Sequence, residues 1–126
     1  MIWWMRSIGA FYLLMFFLAV FPHVPIRAEG PKDLLARAAE GDPTARFVVD
    51  VWFMLGLYFA VIGLALLVGS RDPAQGRALV WTVLGFEVAG IVVDIYKIMR
   101  GYDRRAPATW MFIHTAIIVT GLLALR

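Results

Sequence analysis

"FVVDVWFMLGLYFAVIGLALLV", residues 47–68, decides the fold. Asp50 is its single charged residue. A helix needs about 20 apolar residues to cross roughly 30 Å of hydrocarbon, at about 1.5 Å of rise per residue. This run meets that length. Three other stretches qualify: about 2–21, "IWWMRSIGAFYLLMFFLAVF", interrupted only by Arg6; about 78–99; and about 109–125, "TWMFIHTAIIVTGLLAL". The last is short, which suits a thinner bilayer or an earlier start. The expected fold is an all-α integral membrane protein, an antiparallel bundle of four transmembrane helices in one domain spanning residues 1–126.

Composition agrees. Of 126 residues, 62% are hydrophobic and 17% charged. Soluble domains run at about 45–50% apolar and about 25% charged. Lipid solvates the outside of a bundle, so this excess needs no large aqueous core. Five tryptophans mark the boundaries: Trp3 and Trp4 open the first span, Trp52 and Trp81 lie near the starts of the second and third, and Trp110 opens the fourth. Trp favours the interfacial belt, although scattered core aromatics would look the same.

The connecting loops, 22–46, 69–77 and 100–108, hold the Gly, Pro and Asp expected of breakers. Within the long loop, "PKDLLARAAEG" reads as a short amphipathic helix over about 31–40, with Pro31 in its first turn and Gly41 as its stop. Leu34, Leu35 and Ala38 would rest on the membrane or cap the bundle. The N-terminus has a competing reading as a secretory signal cleaved after Ala28; the Trp pair and the crowding of Pro22 and Pro25 count against it. Lys and Arg outnumber on the side of the 22–46 and 100–108 loops, which favours that side in the cytoplasm, although Arg6 pulls the other way.

The formal charge of +3 is modest and sits in loops, so nucleic acid is not an expected partner. The absence of cysteine excludes disulfides, thiolate metal sites and thiol nucleophiles. The expected partners are the lipid bilayer and either further copies of the chain or another membrane protein. The expected location is a bacterial inner membrane, crossed several times. No residue pattern assigns a cofactor.

Inside the third span, "GFEVAGIVVDIYKIMRG", residues 85–101, carries three ionisable groups. Glu87, Gly90, Asp94, Lys97 and Gly101 recur at three or four residues and share one helix face. Glu87 is near the centre of the span, and Asp94 is roughly 10 Å nearer its end. In an antiparallel bundle Asp50 and His114 would occupy the same half of the membrane as Asp94 and Lys97. A charged group at mid-span costs about 2.5–3.5 kcal/mol on insertion scales, so such residues are candidates for a functional site. Glu87, Asp94, His114, Asp50 and Lys97 are therefore the candidate proton- or ligand-binding residues.

Each also has a plainer reading. Asp50 suits a helix N-terminus near headgroups, and Lys97 suits snorkelling to the interface. Asp94 and Lys97 suit a structural i, i+3 pair. His114 suits a neutral core position bonded to a neighbouring helix, and Glu87 suits interhelical glue. The oxygen and imidazole groups here lack the spacing of any recognised metal motif, so no metal is assigned. Small residues supply packing faces at Gly85 and Ala89, at Gly56, Ala60 and Gly63, and at Ala116, Thr120 and Ala124.

At "LALLVGSRDPAQGRALVW" a span, a short Arg/Asp/Pro loop and another span follow one another. In this layout the chain resembles small bacterial four-helix membrane proteins of the DoxX-like, largely uncharacterised kind. The resemblance implies an inner-membrane bundle, sometimes linked to redox or sulfur metabolism, and transfers no catalytic residue. Small multidrug-resistance transporters share the size but carry their key acid in the first helix, where this chain has none. Three functions fit. The first is a bundle that binds or conducts a proton, a cation or a small amphipathic ligand. The second is a non-catalytic accessory or assembly subunit. The third, disfavoured by the missing catalytic motifs, is a membrane enzyme on a lipid-like substrate, with Glu87 or Asp94 as acid and His114 as base.

Overall fold

The computed structural model describes residues 1–20 and 31–126. Among these residues all regular structure is helical: α1 (Ile2–Val20), α2 (Pro31–Ala39), α3 (Pro43–Gly69), α4 (Pro73–Met99) and α5 (Arg105–Ala124). Four of them, all but α2, are long and apolar enough to cross a membrane. The possible cleavage after Ala28 lies outside the described residues.

Three helices begin four or five residues earlier than the apolar runs they contain. The cause is capping. Asp42 accepts from the backbone N–H of Thr44 at 2.9 Å and of Ala45 at 3.1 Å, and Pro43 follows as the first helical residue of α3. Asp72 and Pro73 repeat the arrangement, with Asp72 accepting from Ala74 N–H at 3.1 Å. A carboxylate cap satisfies N–H groups that a helix start leaves open, and proline loses nothing there because its missing N–H would be unpaired anyway. At α5 the Asp103 carboxylate accepts from Arg105 N–H. The Asp-Pro pairs thus start helices, where breaker chemistry alone reads them as loop.

Two helices end on glycine. Gly41 and Gly101 have φ of 101° and 82°, a left-handed conformation that side chains resist. After α2, Gly41 N–H bonds Ala38 C=O and Asp42 N–H bonds Arg37 C=O; after α4, Gly101 N–H bonds Ile98 C=O and Tyr102 N–H bonds Lys97 C=O. Both are Schellman closures. α2 therefore ends near the expected place.

The backbone divides into two compact units, residues 10–64 and residues 1–9 with 65–126. In the first, α1 runs antiparallel to α3: the Tyr12 and Phe59 rings lie 5.6 Å apart, and a Cβ added at Gly56 would stand 3.1 Å from Ala19 and Val20 side chains. Gly56 lets the two helices close, as small residues do between membrane helices. The α2–α3 corner is tied by Arg37 Nε donating to Asp42 at 3.0 Å and by Arg46 Nε donating to Ala38 C=O.

In the second unit α4 and α5 run antiparallel. Arg77 donates to Leu125 C=O at one end, and His114 meets Gly90 toward the other. Trp4 is buried, and its Nε1–H donates to Thr120 Oγ1 at 3.0 Å. It packs where Gly121 leaves room, since a Cβ there would stand 2.9 Å from the Trp4 ring and 2.6 Å from Leu84. Trp4 thus faces α5, whereas Trp3, Trp52 and Trp81 are exposed. Met5, Leu66 and Val80 are fully buried.

The outer surface is apolar. On α3, Trp52, Phe53, Met54, Tyr58, Val61 and Val68 are all exposed, as are Val92 and Val93 of α4 and Phe112 of α5. Apolar patches of this extent are unusual on soluble monomers and mark surfaces that meet lipid or protein.

Candidate functional site

The buried face of α4 changes chemistry along its length. Gly76, Val80, Val83 and Leu84 begin it, and Glu87 and Asp94 continue it at the same helical spacing. Glu87 is 3% exposed and Asp94 2%. The helix period that makes the first half an ordinary apolar stripe turns two carboxylates inward in the second half.

His114 of α5 lies between them. Its Nδ1 is 2.5 Å from Glu87 Oε2, and its Nε2 is 3.6 Å from Asp94 Oδ2. Glu87 and Asp94 are seven residues apart on α4, and Gly90, between them on the same face, makes the arrangement possible. A Cβ at Gly90 would stand 2.6 Å from His114 Cε1 and 2.7 Å from Nε2. The imidazole covers the backbone at that position. One turn earlier on α5, the Trp110 ring centroid lies 6.2 Å from that of His114.

Lys97 closes the outer end. Its Nζ donates to Asp94 Oδ1 at 3.1 Å, and its side chain is 45% exposed against 3% for Asp94. The ammonium neutralises a buried carboxylate while its own head reaches outward, which is snorkelling and ion pairing at once. Asp94 Oδ2 is buried and has no hydrogen-bond partner among the described residues. An unsatisfied buried acceptor costs about 1–3 kcal/mol, more when charged.

Four of the five candidates, Glu87, Asp94, Lys97 and His114, thus form one chain of contacts along α4 and α5. Asp50 stands exposed on α3, in the unit formed by residues 10–64. Gly90 and Trp110 belong to the site as well. Gly90 was visible on the acidic face, but its role depends on which residue of α5 faces it, and the sequence does not give that register. Among the described residues no group of three His, Asp or Glu converges as ligands for a metal ion.

The arrangement can hold and pass protons, because imidazole presents two distinct nitrogens, one to each carboxylate. It can also offer carboxylate oxygen to a cationic ligand.

A family model described as BphX-like matches residues 1–126. Among curated relatives, an uncharacterised BphX-like protein of Burkholderia cepacia and another of Paraburkholderia xenovorans (strain LB400) are each 28% identical over 112 residues, covering 89% of this chain and 77% of theirs. No solved structure matches. The likeness to DoxX-like proteins rests on layout alone.

Proposed function

This chain belongs to the BphX-like family, and from that premise and the α4–α5 cluster we propose that it is a four-span membrane protein whose buried acid–histidine site binds or conducts a proton, a cation or a small amphipathic ligand. One observation carries this reading. Asp94 Oδ2 is buried, faces His114 and has no hydrogen-bond partner among the described residues. Residues that serve only as interhelical glue satisfy one another; an open acceptor at the centre of a polar cluster is a place for something else to bind.

The location is part of the same proposal. Four apolar helices with apolar exposed faces support spans at α1, α3, α4 and α5, crossing in alternate directions as an antiparallel bundle. Helical spans and bacterial relatives support an inner membrane. The DoxX-like layout fits the same location.

The test is native mass spectrometry of protein extracted gently from its host's membranes. A discrete bound mass or ion, or a protonation-dependent state, should be present in the wild type and lost in Glu87→Gln while the fold persists. Unchanged occupancy in Glu87→Gln would sink the proposal.

A second reading, an accessory subunit, is favoured by Gly85 and Ala89. Both are exposed, and a Cβ at Gly85 meets nothing within 4 Å. This is a small-residue face of the kind membrane helices use to approach one another. Recovery of the protein only with other polypeptides and with an empty cluster would favour this reading.

A further inference from the structure

Arg6 interrupts the first apolar run, and the α4–α5 cluster makes no use of it. A guanidinium one turn into a span ordinarily reaches out to water. Here it is held. Ser70, in the turn after α3, is 3% exposed. Its hydroxyl donates to Leu67 C=O at 2.7 Å, and Arg6 Nε donates to its oxygen at 3.3 Å. With its proton committed to Leu67, Ser70 can only accept from the guanidinium. The Trp3 ring covers one face of that group, its centroid 5.8 Å from Arg6 Cζ. One edge and one face are thereby fixed. The edge carrying Nη1 and Nη2 is left over, with no acceptor among the described residues.

Two more arginines stand at the same corner. Met5 is fully buried and fills the space between two glycines: a Cβ at Gly69 would stand 3.2 Å from Met5 Cε, and one at Gly76 2.9 Å from Met5 Sδ. The start of α1 thus packs on the α3–α4 turn. Arg6, beside Met5, therefore shares this end of its unit with Arg71, beside Ser70, and Arg77, beside Gly76. All three are exposed. None pairs with a carboxylate among the described residues, and Arg77 donates to Leu125 C=O. The stretches 1–9 and 65–82 hold one acid, Asp72, whose carboxylate caps α4. Three guanidiniums against one carboxylate leave two positive charges on these side chains. Trp3 and Trp81 are exposed at this end, which suits the layer between hydrocarbon and headgroups.

We propose that this corner binds an anionic phospholipid, with the headgroup phosphate on the Nη edge of Arg6 and with Arg71 and Arg77 supplying the surrounding charge. A guanidinium edge matches two phosphate oxygens with parallel N–H bonds. The positive surplus selects against a zwitterionic headgroup, whose ammonium would face the same arginines. A lipid holds its phosphate at the depth of Trp3 because its acyl chains lie in hydrocarbon, an anchor that a free phosphate lacks. The proposal needs α1, α3 and α4 to span a membrane, as read above, and nothing of the Glu87–His114–Asp94 cluster.

The test is native mass spectrometry of the full-length protein in detergent, titrated with phosphatidylglycerol or with phosphatidylcholine of the same acyl chains. The wild type should bind phosphatidylglycerol the more tightly. Arg6→Gln should weaken that binding about tenfold, the worth of a charge-assisted hydrogen bond. Arg6→Lys keeps the charge but lacks the planar fork, and should weaken it nearly as much. Arg71→Gln should weaken it about fivefold, the worth of one basic residue near an anionic surface. The Arg71 side chain makes no hydrogen bond or ion pair among the described residues, so this variant decides if the Arg6 variants fail to fold. Arg104→Gln with Arg105→Gln, in the basic turn at the other end of α4, should leave binding unchanged. Equal binding of the two lipids by the wild type overturns the proposal, as does a preference that survives Arg6→Gln and Arg71→Gln. An equal loss in the Arg104 and Arg105 variant reduces the effect to diffuse charge and overturns the site. Binding of glycerol 3-phosphate as tight as that of the lipid assigns the corner to a soluble phosphate and overturns the lipid. Cysteine labelling of the spans gives an independent result, so a missing lipid preference with intact spans falls on this corner alone.

Discussion

At Gly90 the approach of α5 leaves no space for a side chain. Alanine there gains helix propensity of about 1 kcal/mol but must displace an imidazole ring that would stand 2.6–3.0 Å from the new carbon. Overpacking of this kind costs about 1–3 kcal/mol, so the steric effect wins. Gly90→Ala is expected to lower thermal stability in detergent and to separate His114 from at least one carboxylate, seen as a changed ring NMR signal. Gly85 is the internal control. It lies on the same helix with open space around its Cβ position, so Gly85→Ala should be neutral or stabilising by up to about 1 kcal/mol. Equal losses at both positions would mean that Gly85 faces a partner chain and that the clash at His114 is not the cause. Asp94 and Lys97 show that the plain and the functional readings of one residue need not compete. One Asp94 oxygen makes the ordinary i, i+3 pair, and the other faces His114.

At the scale of elements, α3 is the helix most clearly legible in its sequence, and its start is the part that was not. An apolar run reports where hydrocarbon lies, whereas a helix begins where its first N–H groups find acceptors. For α3 that place is Asp42, outside the apolar run. Its carboxyl is held below its ordinary 3.8, first by the Ala45 backbone N–H, then by the side chain of Arg37. The folded chain thus binds this proton less tightly than the unfolded chain does. The stabilisation is complete above the ordinary value and disappears as pH falls through the lower native one. The protection of the Thr44 and Ala45 amides, measured against the exchange of the unfolded chain at the same pH, should therefore fall on acidification below about pH 4 in the wild type. In Asp42→Ala that protection should be low at every pH. Undiminished protection in the variant would show that the cap is dispensable. The acidic face of α4 was equally legible, because 87, 90, 94 and 97 follow from helical period alone. Its pairing with His114 was foreseeable only as a shared half of the membrane. Which α5 residue meets Gly90 depends on the α4–α5 turn, closed by Gly101 and started again at Asp103. Adjacent tryptophans on a helix point about 100° apart, so Trp3 faces outward while Trp4 bonds Thr120.

For the whole molecule the claim is that this surface meets lipid. The chain has no cysteine, so single cysteines report position directly. Val61→Cys and Val92→Cys, at exposed apolar sites on α3 and α4, should resist a charged maleimide in intact membranes. Arg71→Cys and Arg104→Cys, in the turns at opposite ends of α4, should react from opposite sides. Reaction of all four from one side would remove the membrane account. The central claim, that the buried charges of α4 gather around a histidine inside the bilayer, has a more direct test. Solid-state NMR of the protein in lipid bilayers, labelled at glutamate side chains and histidine rings, reads whether the Glu87 carboxyl carbon and His114 Nδ1 are in contact. The account predicts a through-space cross-peak between them, from a ring that exchanges slowly with bulk water. No cross-peak, with a ring in free exchange, would contradict it.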